Sequence, residues 1–71
     1  MPDFDLDHLF KHHSPTAEQL SKYEAIRLAA KEFAKAVLAN SPASADQTAA
    51  IRKLRECVMT ANAAIALNGR T

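Results

Sequence analysis

The residues of this 71-residue chain that could take part in chemistry are three histidines, one cysteine and a set of basic side chains. His12 and His13 are adjacent, and adjacent side chains on an extended segment point to opposite sides, so both rarely bind one metal. They lack a Cys or carboxylate partner set at a known zinc spacing, so we expect no metal and no cofactor. The two imidazoles are either solvated or able to stack on a base or hydrogen-bond a phosphate.

A row of basic side chains follows the longest predicted helix. Arg27, Lys31 and Lys35 are spaced i, i+4 and i+8, on the face that we expect to lie opposite the apolar seam. Such a row is most often a solvated face, and Glu24 and Glu32 are close enough to pair with it. The alternative is that the row meets an anion.

Cys57 is the one cysteine, so an internal disulfide is impossible. It stands beside Val58 in a helical segment, and we interpret it as an inert, buried thiol. No nucleophile, acid or base is positioned for catalysis in the pattern, so we expect no enzyme activity. The acidic start, MPDFDLD, does not match a signal peptide, and the lone thiol suits a reducing cytoplasm.

Two helices must position these residues. We predict helices over residues 16–40 and 44–68, because Thr16 and Ser44 each stand three residues before a glutamine, as in a capping box. Gly69 is the expected stop of the second helix. Their apolar seams repeat at helical spacing, as Tyr23, Ile26, Ala30, Phe33 and Val37, and as Ile51, Leu54, Val58, Ala61 and Ile65.

The connection around Pro42 is short, so the two helices should form an antiparallel hairpin. Residues 1–13 would form an arm with a short helix capped by Asp3 or Asp5. Asn62, beside the seam, would specify register or partner number. A second apolar set lies off the seams and would meet other copies or be covered by the short helix: Leu20, Leu28, Leu38, Met59 and Leu67.

Composition narrows the classes of function. The net charge of +1 gives no strong attraction to nucleic acid polymers or anionic membranes, and no apolar run is long enough to span a bilayer. A single glycine and abundant alanine favour an all-α fold. One domain of 1–71 has a marginal core, and without disulfide or metal we expect a homo-oligomer.

Three segments resemble the helical-hairpin domain of phage anti-CBASS cyclic-nucleotide sponges, a hairpin that also occurs in anti-Thoeris sponges. They are the entry motif His13 to Thr16, YEAIR at 23–27 and ANAAIA at 61–66. The resemblance implies a protein that binds cyclic oligonucleotide messengers of bacterial immunity in the host bacterial cytoplasm and does not cleave them. It also implies a compact homohexamer with cyclic dinucleotides between subunits, and in some members cyclic trinucleotides near threefold axes.

The resemblance assigns roles to four residues. His12 occupies the family's aromatic position before the entry-motif His, where it would stack on a base. Arg27 takes the place of the family's cation in the long helix and would grip a phosphodiester. His13 or Arg70 would complete the pocket from another chain. Arg70 is also the nearest candidate for the C-terminal basic residue tied to trinucleotide binding, although Leu67 is the strictly matching position.

We therefore expect a sponge for cyclic dinucleotides such as cyclic GMP–AMP. The alternative is a small helical protein–protein interaction module with no nucleotide ligand, whose apolar face docks a partner protein. Such a module would be a monomer or dimer.

Overall fold

The computed structural model of the chain describes residues 5–11 and 14–69, in which every regular element is a helix. Helix α1 spans Leu6–Phe10, α2 spans Ala17–Asn40 and α3 spans Ala45–Ala66. Helices α2 and α3 contact each other as a hairpin, which confirms the all-α fold with a short N-terminal helix. The predicted limits, 16–40 and 44–68, differ from the observed ones by at most two residues.

The capping box predicted at the start of α2 is formed in full. Thr16 Oγ1 accepts a hydrogen bond from Gln19 N at 3.1 Å, and Gln19 Oε1 accepts one from Thr16 N at 3.0 Å. Gln19 Nε2 also donates to Ile65 O near the end of α3, at 2.9 Å. One side chain therefore caps α2 and joins it to α3 at the open end of the hairpin, the end away from the loop.

Residues 41–44 connect the two helices at the other end. Ser44 caps α3 as predicted, since its Oγ accepts from Gln47 N at 3.1 Å. The second capping box is nevertheless only half formed, because Gln47 Nε2 donates to Ser41 O at 2.9 Å and the Ser44 amide gains no partner from the glutamine. This carboxamide ties the first turn of α3 to the end of α2 across the loop.

Asn68, and not Gly69 as predicted, makes the left-handed turn that ends α3. Asn68 has φ 54° and Gly69 has φ 78°, so both lie in the left-handed region. Asn68 N donates to Ile65 O and Gly69 N donates to Ala64 O, each at 3.0 Å. These two bonds form a Schellman motif with asparagine at the position that glycine usually occupies.

The interface of α2 and α3 is a seam in which no described residue is fully buried. The α3 residues predicted for the seam are all half-buried. On α2 the prediction is wrong for Phe33, which is 61% exposed, while Ala34 is half-buried. Small side chains such as Ala30 and Ala34 allow close approach of the helices but bury little apolar surface.

Asn62 carries the one buried side-chain atom without a hydrogen-bond partner among the described residues, its Oδ1. A buried acceptor without a donor costs about 1–3 kcal/mol. The prediction that Asn62 specifies register or partner number stays a prediction.

Helix α1 reaches the end of α3 through a polar contact. Asp5 caps it as predicted, accepting from His8 N at 3.1 Å, and His8 Nε2 lies 3.3 Å from Leu67 O. Phe10 is 80% exposed, so its ring does not pack against the hairpin.

The apolar set off the seams is not covered by α1. Four of its members remain more than half exposed: Leu20, Leu28, Leu38 and Met59. Leu67, which accepts the contact from His8, is half-buried. Much of the apolar surface of the described hairpin is therefore exposed in the single chain.

Substitution of Asn68 tests the left-handed turn. We expect Asn68→Ala to lower the free energy of unfolding by about 1 kcal/mol, because a Cβ is unfavourable in this backbone region. Asn68→Gly should be at least as stable as the wild type. Urea denaturation followed by circular dichroism, at one fixed protein concentration, measures both. An alanine variant more stable than the glycine variant would contradict the turn.

Substitution of Gln19 separates its two roles. Glutamate caps a helix as well as glutamine does, but an ionised carboxylate cannot donate to Ile65 O. We expect both Gln19→Ala and Gln19→Glu to lower the free energy of unfolding, each by about 1–2 kcal/mol. The same urea titration at neutral pH measures it. A glutamate variant as stable as the wild type would show that the bond to Ile65 contributes nothing.

Candidate functional site

Of the four residues predicted to form a site, the structure describes Arg27. His12, His13 and Arg70 lie outside the described residues, so their roles stay predictions. The site can therefore be built from the surroundings of Arg27 and from the described surface that precedes Arg70 in the chain.

Arg27 is exposed and is held along α2 by a carboxylate. Its Nη2 donates a hydrogen bond to Glu24 Oε2, and the side chains of Arg27 and Glu24 are 69% and 52% exposed. Lys35 pairs with Glu32 in the same i, i+3 arrangement, at 3.2 Å, so both ion pairs expected for the basic row are present. Exposed ion pairs contribute at most about 1 kcal/mol, so a bound phosphate can replace Glu24 as the partner of Arg27.

Arg27 lines a groove of about 260 Å³ between the two long helices. Two more cations line it, Lys31 from α2 and Arg55 from α3, and none of its lining residues is acidic. The rest of the lining is small or apolar: Ala30, Ala34, Ile51, Leu54 and Val58. We refer to the surface formed by these eight residues as the basic groove.

The position of the basic groove corrects one expectation and adds a residue. Arg27 and Lys31 flank the seam rather than lying opposite it, because they line the groove together with seam residues of α3. Arg55 is absent from the sequence prediction, although it directly follows Leu54 of the seam. Arg55 comes to line the same groove as Arg27 and Lys31 only when α2 and α3 pack together.

A second flank of the same seam carries no charge. Its groove, of about 220 Å³, shares Ala30, Leu54 and Val58 with the basic groove. The remaining lining is Ile26, Ala29, Phe33 and Cys57. We refer to it as the apolar groove. Cys57 is exposed here, so its interpretation as a buried thiol is wrong.

A third groove, of about 270 Å³, lies at the open end of the hairpin. Gln19 and Lys22 of α2 line it together with Asn68 and Gly69. Lys22 is already paired with Glu18, at 3.3 Å. This groove is the described surface that immediately precedes Arg70 in the chain.

Within residues 5–11 and 14–69, no three His, Cys, Asp or Glu side chains are grouped so that they could hold a metal ion. In the same part of the chain, no helix combines the length and apolarity needed to cross a membrane.

Comparison with known protein families places the chain in one of them. Residues 2–66 match the family model for the Acb2/Tad1 hairpin domain, a range that includes all three helices. Neither the curated proteins nor the solved structures gave a match. Members of the matched family are sponges rather than enzymes. The chain therefore belongs to the Acb2/Tad1 hairpin-domain family of anti-CBASS and anti-Thoeris sponges, as the resemblance of its segments indicated.

Proposed function

We propose that this protein is a phage immune-evasion protein that sequesters cyclic dinucleotide messengers of bacterial CBASS immunity without degrading them. The observation that carries the proposal is the family match over residues 2–66. The mechanism is stoichiometric, because tight binding lowers the free messenger below the threshold of its effector. A slow off-rate then matters more than a fast on-rate. The whole chain acts as one helical-hairpin domain in the host bacterial cytoplasm.

The exposed surface supports self-association of the proposed sponge, because the chain by itself exposes far more surface than a compact domain does. Its accessible area is 5787 Å², whereas a folded monomer of 7.7 kDa exposes about 4,300 Å². The radius of gyration is 15.1 Å, against about 11 Å for a compact domain of this length. The excess area is roughly what two standard interfaces bury on one chain. We infer a homo-oligomer, namely the hexamer that the family resemblance implies.

The proposed site combines residues of two chains. Arg27 neutralises a phosphodiester, His12 stacks on a base, and His13 or Arg70 completes the pocket. The family resemblance places cyclic dinucleotides between subunits, so His13 or Arg70 would come from another chain. Cyclic trinucleotides are a second ligand class for the same protein, with Arg70 as the candidate contact.

The variant Arg27→Ala tests the assignment of the site. We expect it to keep the mass of the wild-type oligomer and to lose affinity for cyclic GMP–AMP by tenfold to a hundredfold, since a charge-assisted bond to phosphate is removed. Isothermal titration calorimetry with light scattering on the same sample measures both. Normal binding by this variant would refute the pocket.

Lys35→Ala is the matched control for that experiment. Lys35 is exposed on the same helix and is paired with a glutamate three residues earlier, as Arg27 is. It does not line the basic groove. The control should bind like the wild type, so equal losses in the two variants would indicate a general effect of charge rather than a contact.

Recovery of the ligand distinguishes a sponge from an enzyme and from a docking module. We expect cyclic GMP–AMP to bind a hexamer at nanomolar concentration and to be released intact when the protein is denatured by heat, as chromatography would show. A cleaved product would identify an enzyme. A monomer or dimer that binds neither cyclic dinucleotides nor trinucleotides would favour a protein-docking hairpin, for which the exposed leucines provide a surface.

A further inference from the structure

Two cations of the basic groove have no carboxylate partner within the described part of the chain. Three ion pairs form there: Lys22 with Glu18, Arg27 with Glu24 and Lys35 with Glu32. Lys31 and Arg55 take part in none of them, yet both line the basic groove. Of the four cations of α2, Lys31 is therefore the one without a glutamate partner in the described part of the chain. It shares the basic groove with Arg55 of α3.

The surroundings of these two cations favour an anion. Lys31, Arg55 and Arg27 share a groove whose other lining residues are all small or apolar. The apolar side chains of the groove screen charge less well than water does, so the cations above them repel one another more strongly. For the same reason, these cations bind an anion placed between them more tightly. Arginine and lysine are also the side chains that bind phosphate oxygens, arginine through two parallel hydrogen bonds.

The size of the groove limits what part of a ligand it takes. Its volume of about 260 Å³ is below the range of about 300–1,000 Å³ that holds a whole drug-sized molecule. A phosphodiester with an attached sugar is a suitable occupant, with the sugar over the apolar floor. The bases would then lie outside the groove.

We propose that Lys31 and Arg55 are phosphate-binding residues, and that the basic groove holds one phosphodiester of a cyclic dinucleotide from both helices at once. This assignment rests on the proposed function. A phosphodiester has two non-bridging oxygens that accept hydrogen bonds, so cations from both helices can bind it at once. Arg55 extends the site from α2 to α3, so the formed hairpin, and not one helix, provides the phosphate contact.

Neutralising variants with matched controls test the proposal. Arg55→Gln and Lys31→Gln remove the two cations, while Arg52→Gln and Lys53→Gln remove exposed cations of α3 that do not line the basic groove. We expect the first pair to weaken cyclic GMP–AMP binding by about tenfold or more and the controls to leave it unchanged, by calorimetry at one salt concentration. Arg55→Lys should lie between the wild type and Arg55→Gln, because it keeps the charge but loses bidentate geometry.

Two further readouts separate a phosphate contact from a structural role. Light scattering and circular dichroism should show wild-type mass and helicity for Arg55→Gln. The wild-type affinity should fall with added salt more steeply than that of Arg55→Gln, because the variant has lost one charge contact. A variant that loses its oligomeric mass would show that Arg55 holds the subunits together rather than the phosphate, and would overturn its assignment as a phosphate-binding residue.

The outcomes also distinguish failure of this proposal from failure of the proposed function. Wild-type affinity in both Arg55→Gln and Lys31→Gln, with loss in Arg27→Ala, would overturn the groove assignment and leave the sponge intact. Absence of binding by the wild type to cyclic dinucleotides and trinucleotides would overturn both, and would be seen before any variant is made.

Discussion

The structure depends on one constraint, which is that two alanine-rich helices cannot bury a core. No described residue reaches full burial, and the small side chains along the seam remove little apolar area from water. Close approach of the backbones is gained at the expense of hydrophobic stabilisation. Contacts other than a core must therefore fix how the two helices lie against each other. Only another chain could cover the apolar surface that α2 and α3 leave exposed.

Polar contacts at the two ends of the hairpin hold the helices in position. Gln19 joins α2 to Ile65 O at the open end, and Gln47 joins α3 to Ser41 O at the loop. Each glutamine stands at the third position of its helix, where it would serve only as a local cap in an isolated helix. The first bond connects the two helices and the second connects α3 to the residue that follows α2, so both ends of the hairpin are tied where a seam of alanines distinguishes poorly between neighbouring registers.

The sequence predicted the fold well because the signals for it are local. Thr16, Ser44 and Asp5 lie within three residues of the amide groups that they cap, so their spacing was sufficient evidence. The errors concern contacts that form only in three dimensions. Phe33 has the spacing of a seam residue, but in the folded hairpin it is exposed and its neighbour Ala34 is half-buried.

The same limit explains what was missed at the candidate site. Arg27 was found because a family resemblance marks it, whereas Arg55 becomes significant only through its place across a groove from Lys31. Residues on different helices, about two dozen positions apart, share no local pattern. The contact of His8 with Leu67 O, at the ends of the described chain, was beyond sequence reasoning for the same reason.

The two flanks of the seam differ in charge, so they favour different partners. In the proposed oligomer, a second copy can cover the apolar groove, which includes Phe33. This contact buries apolar area and no charge, because none of the residues that line the groove is charged. The basic groove resists the same treatment, since burying Arg27, Lys31 and Arg55 without carboxylate partners carries a desolvation penalty, and two such grooves repel each other. In the proposed site, a phosphodiester supplies the negative charge that the basic groove lacks, and another chain completes the pocket around the ligand. A narrow seam of small residues thus leaves the apolar groove suited to contact between copies and the basic groove suited to an anion.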